Sequence, residues 1–563
     1  MDESEEQKQR RKITSIKTFP VSFSLGELKE KIHIITNDFS KYSKEEIINQ
    51  AFKFHSQGQI SEASRYYKNF IDQGFIDHKV FTYYGIILNN SGKSKEAEVL
   101  TRKAIAINPN YANAYLNLGL ILKDLGKLEE AEKSTRKAIE LQPDFAKAYY
   151  NLGSILKDLG KLEEAEIFQR KAIEKNPHSA DYHCNLGLIL KDLGKSEEAE
   201  KSTRKAIELQ PNSATANLNL GLILKDLGKL QEAEILTRKA IKIKPDYAEA
   251  YFNLSLIELL LGDYELGLEH YEFRDKIMPK HADPKVQQID HLNIQKNEKL
   301  LIVSEQGLGD TIQYMRYIPY LRNKGMDISF CAQENLHTLI RSSGIDPNPI
   351  VPEQAHKISE GKWMRLLSLP KHLKIKPGKP IISGPYIFTE KGLVQKWKEI
   401  LSIEDRPIIG INWQGNPNIE NTYQGRSIPL EMFSIIHSQN DFKMLSLQKG
   451  FGSDQLDHCS FKNKFVECQS LIDSTWDFLE NAAIIENCDL IITCDTSIAH
   501  LAGGMGKKVW LLLRDIPYWT WGLEEESTFW YPSMRIFRQK ERHDWKEVIE
   551  RVSESMKSEM IRK

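Results

Sequence analysis

YANAYLNLGLILKDLGKLEEAEKSTRKAIELQ, Tyr111 to Gln142, is followed after Pro143-Asp144 by FAKAYYNLGSILKDLGKLEEAEIFQRKAIEKN, Phe145 to Asn176, then by two close copies and a looser one. Pro109, Pro143, Pro177, Pro211, Pro245 and Pro279 stand 34 residues apart throughout. A period of that length marks stacked supersecondary units, so the region reads as an all-helical solenoid and not as a domain with one core. Each copy reads as a helix, a turn and a second helix. Leu118 and Leu122 fall on one face of the first helix, while Ala131 and Ala138 keep a face of the second small enough for close packing. Gly126 breaks the pair and Pro143 ends it.

Gly119, Gly153, Gly187 and Gly221 in the first helices, Ala131, Ala165, Ala199 and Ala233 in the second, and the terminal prolines resemble the tetratricopeptide repeat. Degraded copies precede them, with Gly85, Ala97 and Ala104 in one and Ala63 in another. The solenoid is therefore expected over residues 41–280, as about seven repeats, too few for a full second turn of superhelix. Asn117, Asn151, Asn185, Asn219 and Asn253 recur just before the packing leucine. A polar ladder at that spacing is expected on the concave face, in a groove that takes a protein or peptide partner. It is similar to the asparagine ladder of the protein O-GlcNAc transferase family, where amides grip a peptide backbone. Recent duplication of a neutral residue explains the recurrence equally well. The KDLGKLEEAE pattern, with its alternating charges, reads as a solvated face.

The chain has 563 residues, a net charge of −1 and six cysteines, Cys184, Cys331, Cys459, Cys468, Cys488 and Cys494. Near-neutral charge provides no electrostatic footprint for nucleic acid. No stretch approaches the twenty or so apolar residues of a membrane span, and MDESEEQKQRRK at the start is charged where a signal peptide is apolar. A cytoplasmic protein with reduced thiols, no metal site and a poorly specified leader over residues 1–40 is expected. Self-association through an uncapped solenoid end stays open.

Beyond a connector at 281–298, the pattern changes class. KLLIVSEQGLGDTIQYMRYIPYL reads as a buried strand, a glycine turn and a helix, and MDISFCAQENLHTLIRSSG as a second such unit. RPIIGINWQGNP, FKMLSLQKG, STWDFLENAAIIENC, DLIITCDTSIAHLAGGMG and KKVWLLLRD renew the alternation. Such alternation builds parallel sheets with helices on both faces, here two Rossmann-like α/β domains at 299–390 and 391–563 with a cleft between them. Ligands bind at the carboxyl ends of such strands, where both unusual turns fall. One is Gln306-Gly-Leu-Gly-Asp310, whose glycines alone are weak evidence. The other is Asp495-Thr-Ser-Ile-Ala-His500, where capping residues open a helix whose N–H groups suit a phosphate. An ordinary N-cap and a core histidine are the bland alternatives.

Asp495-Thr496-Ser497, His500 and the glycines of AGGMGKKVW together resemble the nucleotide-sugar signature of the glycosyltransferase family 9 enzymes, the ADP-heptose lipopolysaccharide heptosyltransferases. The resemblance runs from about Lys299 to Phe537 and departs at Ser497, where that family has glycine, and at Lys508, where it has proline. It implies a GT-B fold, a nucleotide-sugar donor as substrate, and no cofactor or metal. It further implies Asp310 as catalytic base and Gly307, Gly309, Arg426, Asp495, Thr496, Ser497 and His500 as donor-binding residues. The implied reaction is an inverting sugar transfer onto an acceptor recruited by the repeats. Trp413 reads as either a base platform or core. The aromatic string from Ile516 to Tyr531 reads either as a platform that closes over a sugar ring or as a packing seam, the latter favoured with Trp519 and Trp521 its exceptions. The rival reading is a non-catalytic interaction scaffold with a degenerate transferase domain. A sugar-nucleotide sensor without transfer is a third.

Overall fold

The structure, a computed structural model, describes residues 42–279, 282–292, 298–417, 425–437 and 441–560. The leader at 1–40 lies outside them. The chain divides into two compact units, Met1–Ile223 and Leu224–Lys563.

The first unit is helical. Lys44–Ser56 pairs with Ile60–Asp72, His78–Asn90 with Ser94–Ile107, Ala112–Asp124 with Leu128–Leu141, Ala146–Asp158 with Leu162–Lys175, and Ala180–Asp192 with Ser196–Leu209. Gly126, Gly160 and Gly194 close their first helices at φ 75°, a left-handed conformation that costs glycine nothing. The other recurrent glycine serves packing: a Cβ on Gly119 would collide with Thr135 Oγ1 and come within 3.3 Å of the Ala131 carbonyl. Leu118, Leu122, Ala131 and Ile155 form one core cluster, and Leu152, Leu156, Ala165 and Ile189 repeat it one unit on. Each buried leucine contributes about 1.5–3 kcal/mol. The charged face does more than meet solvent. Arg102 bonds Glu98 within its helix and Glu130 in the next pair, and Lys127 returns to Glu98 at 2.9 Å. Arg136, Lys161, Arg170 and Lys195 repeat the pattern, so a half-exposed ion network links successive repeats.

The second unit begins with helical pairs and continues into two parallel sheets. Its helices Leu230–Ile243, Ala248–Leu260 and Tyr264–Tyr271 lead to a 3-10 turn, Glu272–Lys276. The first sheet holds β1 (Gln287–Gln288), β2 (Lys299–Val303), β3 (Asp327–Cys331) and β4 (Lys362–Arg365) in the order β1-β4-β2-β3. The expected connector at 281–298 therefore supplies a strand, because Gln287 and Gln288 find backbone partners on Lys362 and Trp363. The second sheet holds β5 (Ile408–Asn412), β6 (Lys443–Ser446), β7 (Leu490–Cys494), β8 (Val509–Leu513) and β9 (Met534–Arg538) in the order β6-β5-β7-β8-β9. β5, β7 and β8 are buried along their whole length, as strands covered on both faces must be. Strand order reverses between β5 and β7, and a crevice opens at the carboxyl ends of strands at such a switch point. The α/β class expected for this region is what the structure has.

Candidate functional site

The turn after β2 and the turn after β7 meet. Gly307 caps the helix Leu308–Tyr314, and Thr496 caps Ser497–Gly504. A Cβ on Gly309 would lie 2.9 Å from His500 Cδ2 and 3.6 Å from Ser497 Cα, so only glycine permits this approach. Asp310 folds back to accept the Gly307 N–H at 3.1 Å. Desolvation pushes its carboxyl up to about 7; the Gly307 N–H opposes this, and the charges of Asp495 and Glu305 add to it. Burial raises Asp495 as well, against the pull of Arg426.

Arg426 reaches the same place from beyond β5. Its guanidinium donates to the main-chain carbonyls of Asp495 and Asn416, both at 3.4 Å, and lies flush against Gly415. The Thr496 hydroxyl turns away from its own helix and donates to Asn412 Oδ1 at 2.8 Å, which ties the two strands of the switch point together. The start of Ser497–Gly504 thus has no side-chain cap, and its first N–H groups carry the positive end of the helix dipole.

His500 is buried, stacked on Trp521 at 5.0 Å between ring centroids, with Nδ1 2.9 Å from the Tyr531 hydroxyl. Burial, with the Arg316 charge adding, pushes its pKa down to about 3, so the ring is neutral and carries no charge for a phosphate. Arg316, unforeseen in the sequence, is fully buried. It donates to the carbonyls of Ile382 and Trp530 and lies over the rings of Tyr386 and Tyr531. Trp413 belongs to the core of the second sheet, with its indole N–H on the Gly452 carbonyl. Trp519 and Trp521, expected as exceptions to the packing seam, are part of it, each only 2% exposed.

The last helical turn of the repeats completes the surroundings. Arg274, buried, donates to Glu305 at 2.8 Å and to Ser368, and pairs with Glu272. Arg365 pairs with Glu305 at 2.8 Å and with Asp275 at 2.6 Å. Desolvation pushes Glu305 up, but the two arginines outweigh it and hold the carboxyl below its usual range. Charges this deep persist only when paired this fully.

The asparagine ladder is largely inside the stack. Asn151, Asn185 and Asn219 are 3%, 5% and 1% exposed, while Asn117 and Asn253 are partly exposed. Asn185 donates to Gln169 Oε1 at 2.9 Å, Asn219 to Cys184 Sγ at 3.0 Å and Asn117 to the Thr82 carbonyl at 3.4 Å. Those three amides therefore join neighbouring helices, whereas Asn253 donates to the Glu249 carbonyl of its own helix. A cleft of about 510 Å³ lies elsewhere, lined by Ile173, Leu186 and Leu190 and by charges of both signs, Arg170, Lys201 and Lys205 with Glu174 and Glu198. Among the described residues no three His, Cys, Asp or Glu side chains gather as a metal site, and no helix is long and apolar enough to cross a membrane.

Residues 112–145 and 180–213, 146–178, and 203–235 match models of the tetratricopeptide repeat. Among solved structures, YrrB, a TPR protein with an unusual peptide-binding site, is 28% identical over 32% of this chain and 93% of its own, with a TM-score of 0.26. MamA is 27% identical over 29% of this chain and 96% of its own, with a TM-score of 0.27. A thermophilic TPR protein from Thermus thermophilus is 23% identical over 32% of this chain and 100% of its own, with a TM-score of 0.30. No curated protein matches. The N-terminal helical region is a solenoid of tetratricopeptide repeats, and such repeats point to protein–protein interaction.

Proposed function

We propose that the α/β region is a glycosyltransferase of the GT-B type, inverting and metal-independent, that takes a sugar from a nucleotide-sugar donor and places it on an acceptor recruited by the repeats. One observation carries this reading: the turn that bears Asp310 packs against the uncapped helix start at Ser497, within electrostatic reach of Asp495, whose main-chain carbonyl takes the Arg426 guanidinium. An acceptor hydroxyl attacks the anomeric carbon while Asp310 takes its proton, a task suited to a base of that affinity. The bond from that carbon to the donor diphosphate breaks, and the diphosphate leaves with the electron pair. N–H groups of Ser497 and Ile498 together with Arg426 stabilise the charge it gathers. Asp495 accepts hydrogen bonds from donor hydroxyls. Gly307 and Gly309 let the turn approach, and His500 shapes the wall as a neutral ring.

The repeats by themselves favour a second reading, a scaffold whose α/β region does not react. Asp310→Asn separates the two. In a transferase it abolishes sugar transfer while isothermal titration still detects the donor. In a scaffold neither wild type nor variant transfers sugar or takes up the donor, and a variant that transfers at the wild-type rate removes Asp310 from the chemistry.

A further inference from the structure

Gln306, at the head of the Gly307–Asp310 turn, has a φ of 67°, a left-handed conformation that residues with a Cβ seldom adopt. Such a conformation persists only where surrounding contacts hold it. Here its Nε2 donates to Tyr271 Oη at 3.0 Å, and its carbonyl accepts from Gln333 Nε2 at 3.3 Å. Gln333 in turn accepts the Thr311 hydroxyl at 2.9 Å, on the far side of Asp310. The Tyr271 hydroxyl is itself fixed against Tyr518 Oη at 3.0 Å, and its ring is packed on Phe252 and Trp519. One residue earlier, Glu305 is held by Arg274. The two residues that lead into the turn are thus each gripped by a side chain from the end of the last helix pair. Burial raises the Tyr271 pKa, Arg274 opposes this, and the Asp310 charge is close enough to add to it.

We propose that Tyr271 and Arg274 are positioning residues for the Asp310 turn, which makes the last helix pair a working part of the α/β site and not a tether to it. The structural half stands on these contacts alone; the kinetic half rests on the reading of Asp310 as the base.

The test is Tyr271→Phe in the full chain, which removes one hydroxyl and keeps the ring. Hydrogen exchange at the amides of Gly307–Thr311 is expected to quicken about tenfold, the worth of a typical hydrogen bond, while Ser497–Gly504 keeps its protection. Gln306→Ala, which removes the amide from the same contact and keeps the Cβ, is expected to do likewise, and the double variant to add nothing further. Tyr264→Phe, on the same helix but packed on Trp519 and Phe529, is the control. Unchanged exchange in Tyr271→Phe, or full additivity with Gln306→Ala, overturns the proposal. Where the wild type transfers sugar, Tyr271→Phe is also expected to lower kcat about tenfold at an unchanged donor KM. A wild-type kcat overturns the positioning role, whereas a wild type without any transfer sinks the transferase reading and leaves exchange to decide positioning.

Discussion

Asp310 is a carboxyl whose proton affinity rises from the ordinary 3.8 to about 7 in the folded chain. The folded state therefore holds a proton that the unfolded state has released between those values, and this group's contribution to stability declines as pH rises from about 4 to about 7, then levels. Asp310→Asn has no such proton to lose. The variant's melting temperature, compared with that of the wild type across pH 4 to 8, is expected to gain on it steadily up to pH 7 and to keep that lead above. Sugar transfer by the wild type is expected to rise along an ionisation near pH 7. Gly415 makes a second residue-scale test, because a Cβ there would strike the end of the long Arg426 side chain, which can swing aside. Gly415→Ala is expected to cost about 10²-fold in nucleotide release, the scale of one lost transition-state donor, with melting nearly unchanged. The turns that bear Asp310 and Asp495 were legible because they follow apolar strands, where ligands bind in parallel sheets, whereas Arg426 was named by resemblance alone. Arg316, Tyr531 and Tyr271 were not, since each meets the site only through folding of distant segments.

At the scale of elements, periodicity carried most of the fold. Proline spacing and recurrent glycines located the helix pairs, and apolar runs located β2, β5, β7 and β8. Two of the misses share a cause. β1 is two glutamines and β4 is Lys-Trp-Met-Arg, strands too short and too polar for an apolar pattern, identified only by the backbone partners they find. The asparagines were ambiguous in sequence because near-identical repeats copy structural and binding residues alike. The fit between paired helices is testable in one repeat. Gly119→Ala drives a methyl into Thr135 Oγ1 and is expected to destabilise by about 1–3 kcal/mol in a denaturant titration. Gly119→Ala with Thr135→Ala removes the collision, so most of the loss is expected to return.

For the whole molecule, the boundary between repeats and α/β region, placed from sequence near residue 280, is not where the compact units divide. Leu224–Lys563 keeps the last helices with the sheets, because Arg274 answers the buried charge of Glu305. A fragment starting at Ser213 is expected to melt cooperatively. One starting at Ala282 leaves Glu305 and Arg365 with half their partners, at a cost of about 3–5 kcal/mol, and is expected to lose near-ultraviolet circular dichroism. The measurement that bears most directly on the transferase reading is nucleotide release from ADP-heptose, UDP-GlcNAc, and GDP- and dTDP-sugars, with cell lysate as acceptor and wild type beside Asp495→Ala. Release from one donor, lost in the variant, is the expected result. Absence of both release and donor binding across the panel contradicts a transferase and leaves the chain a protein-binding scaffold.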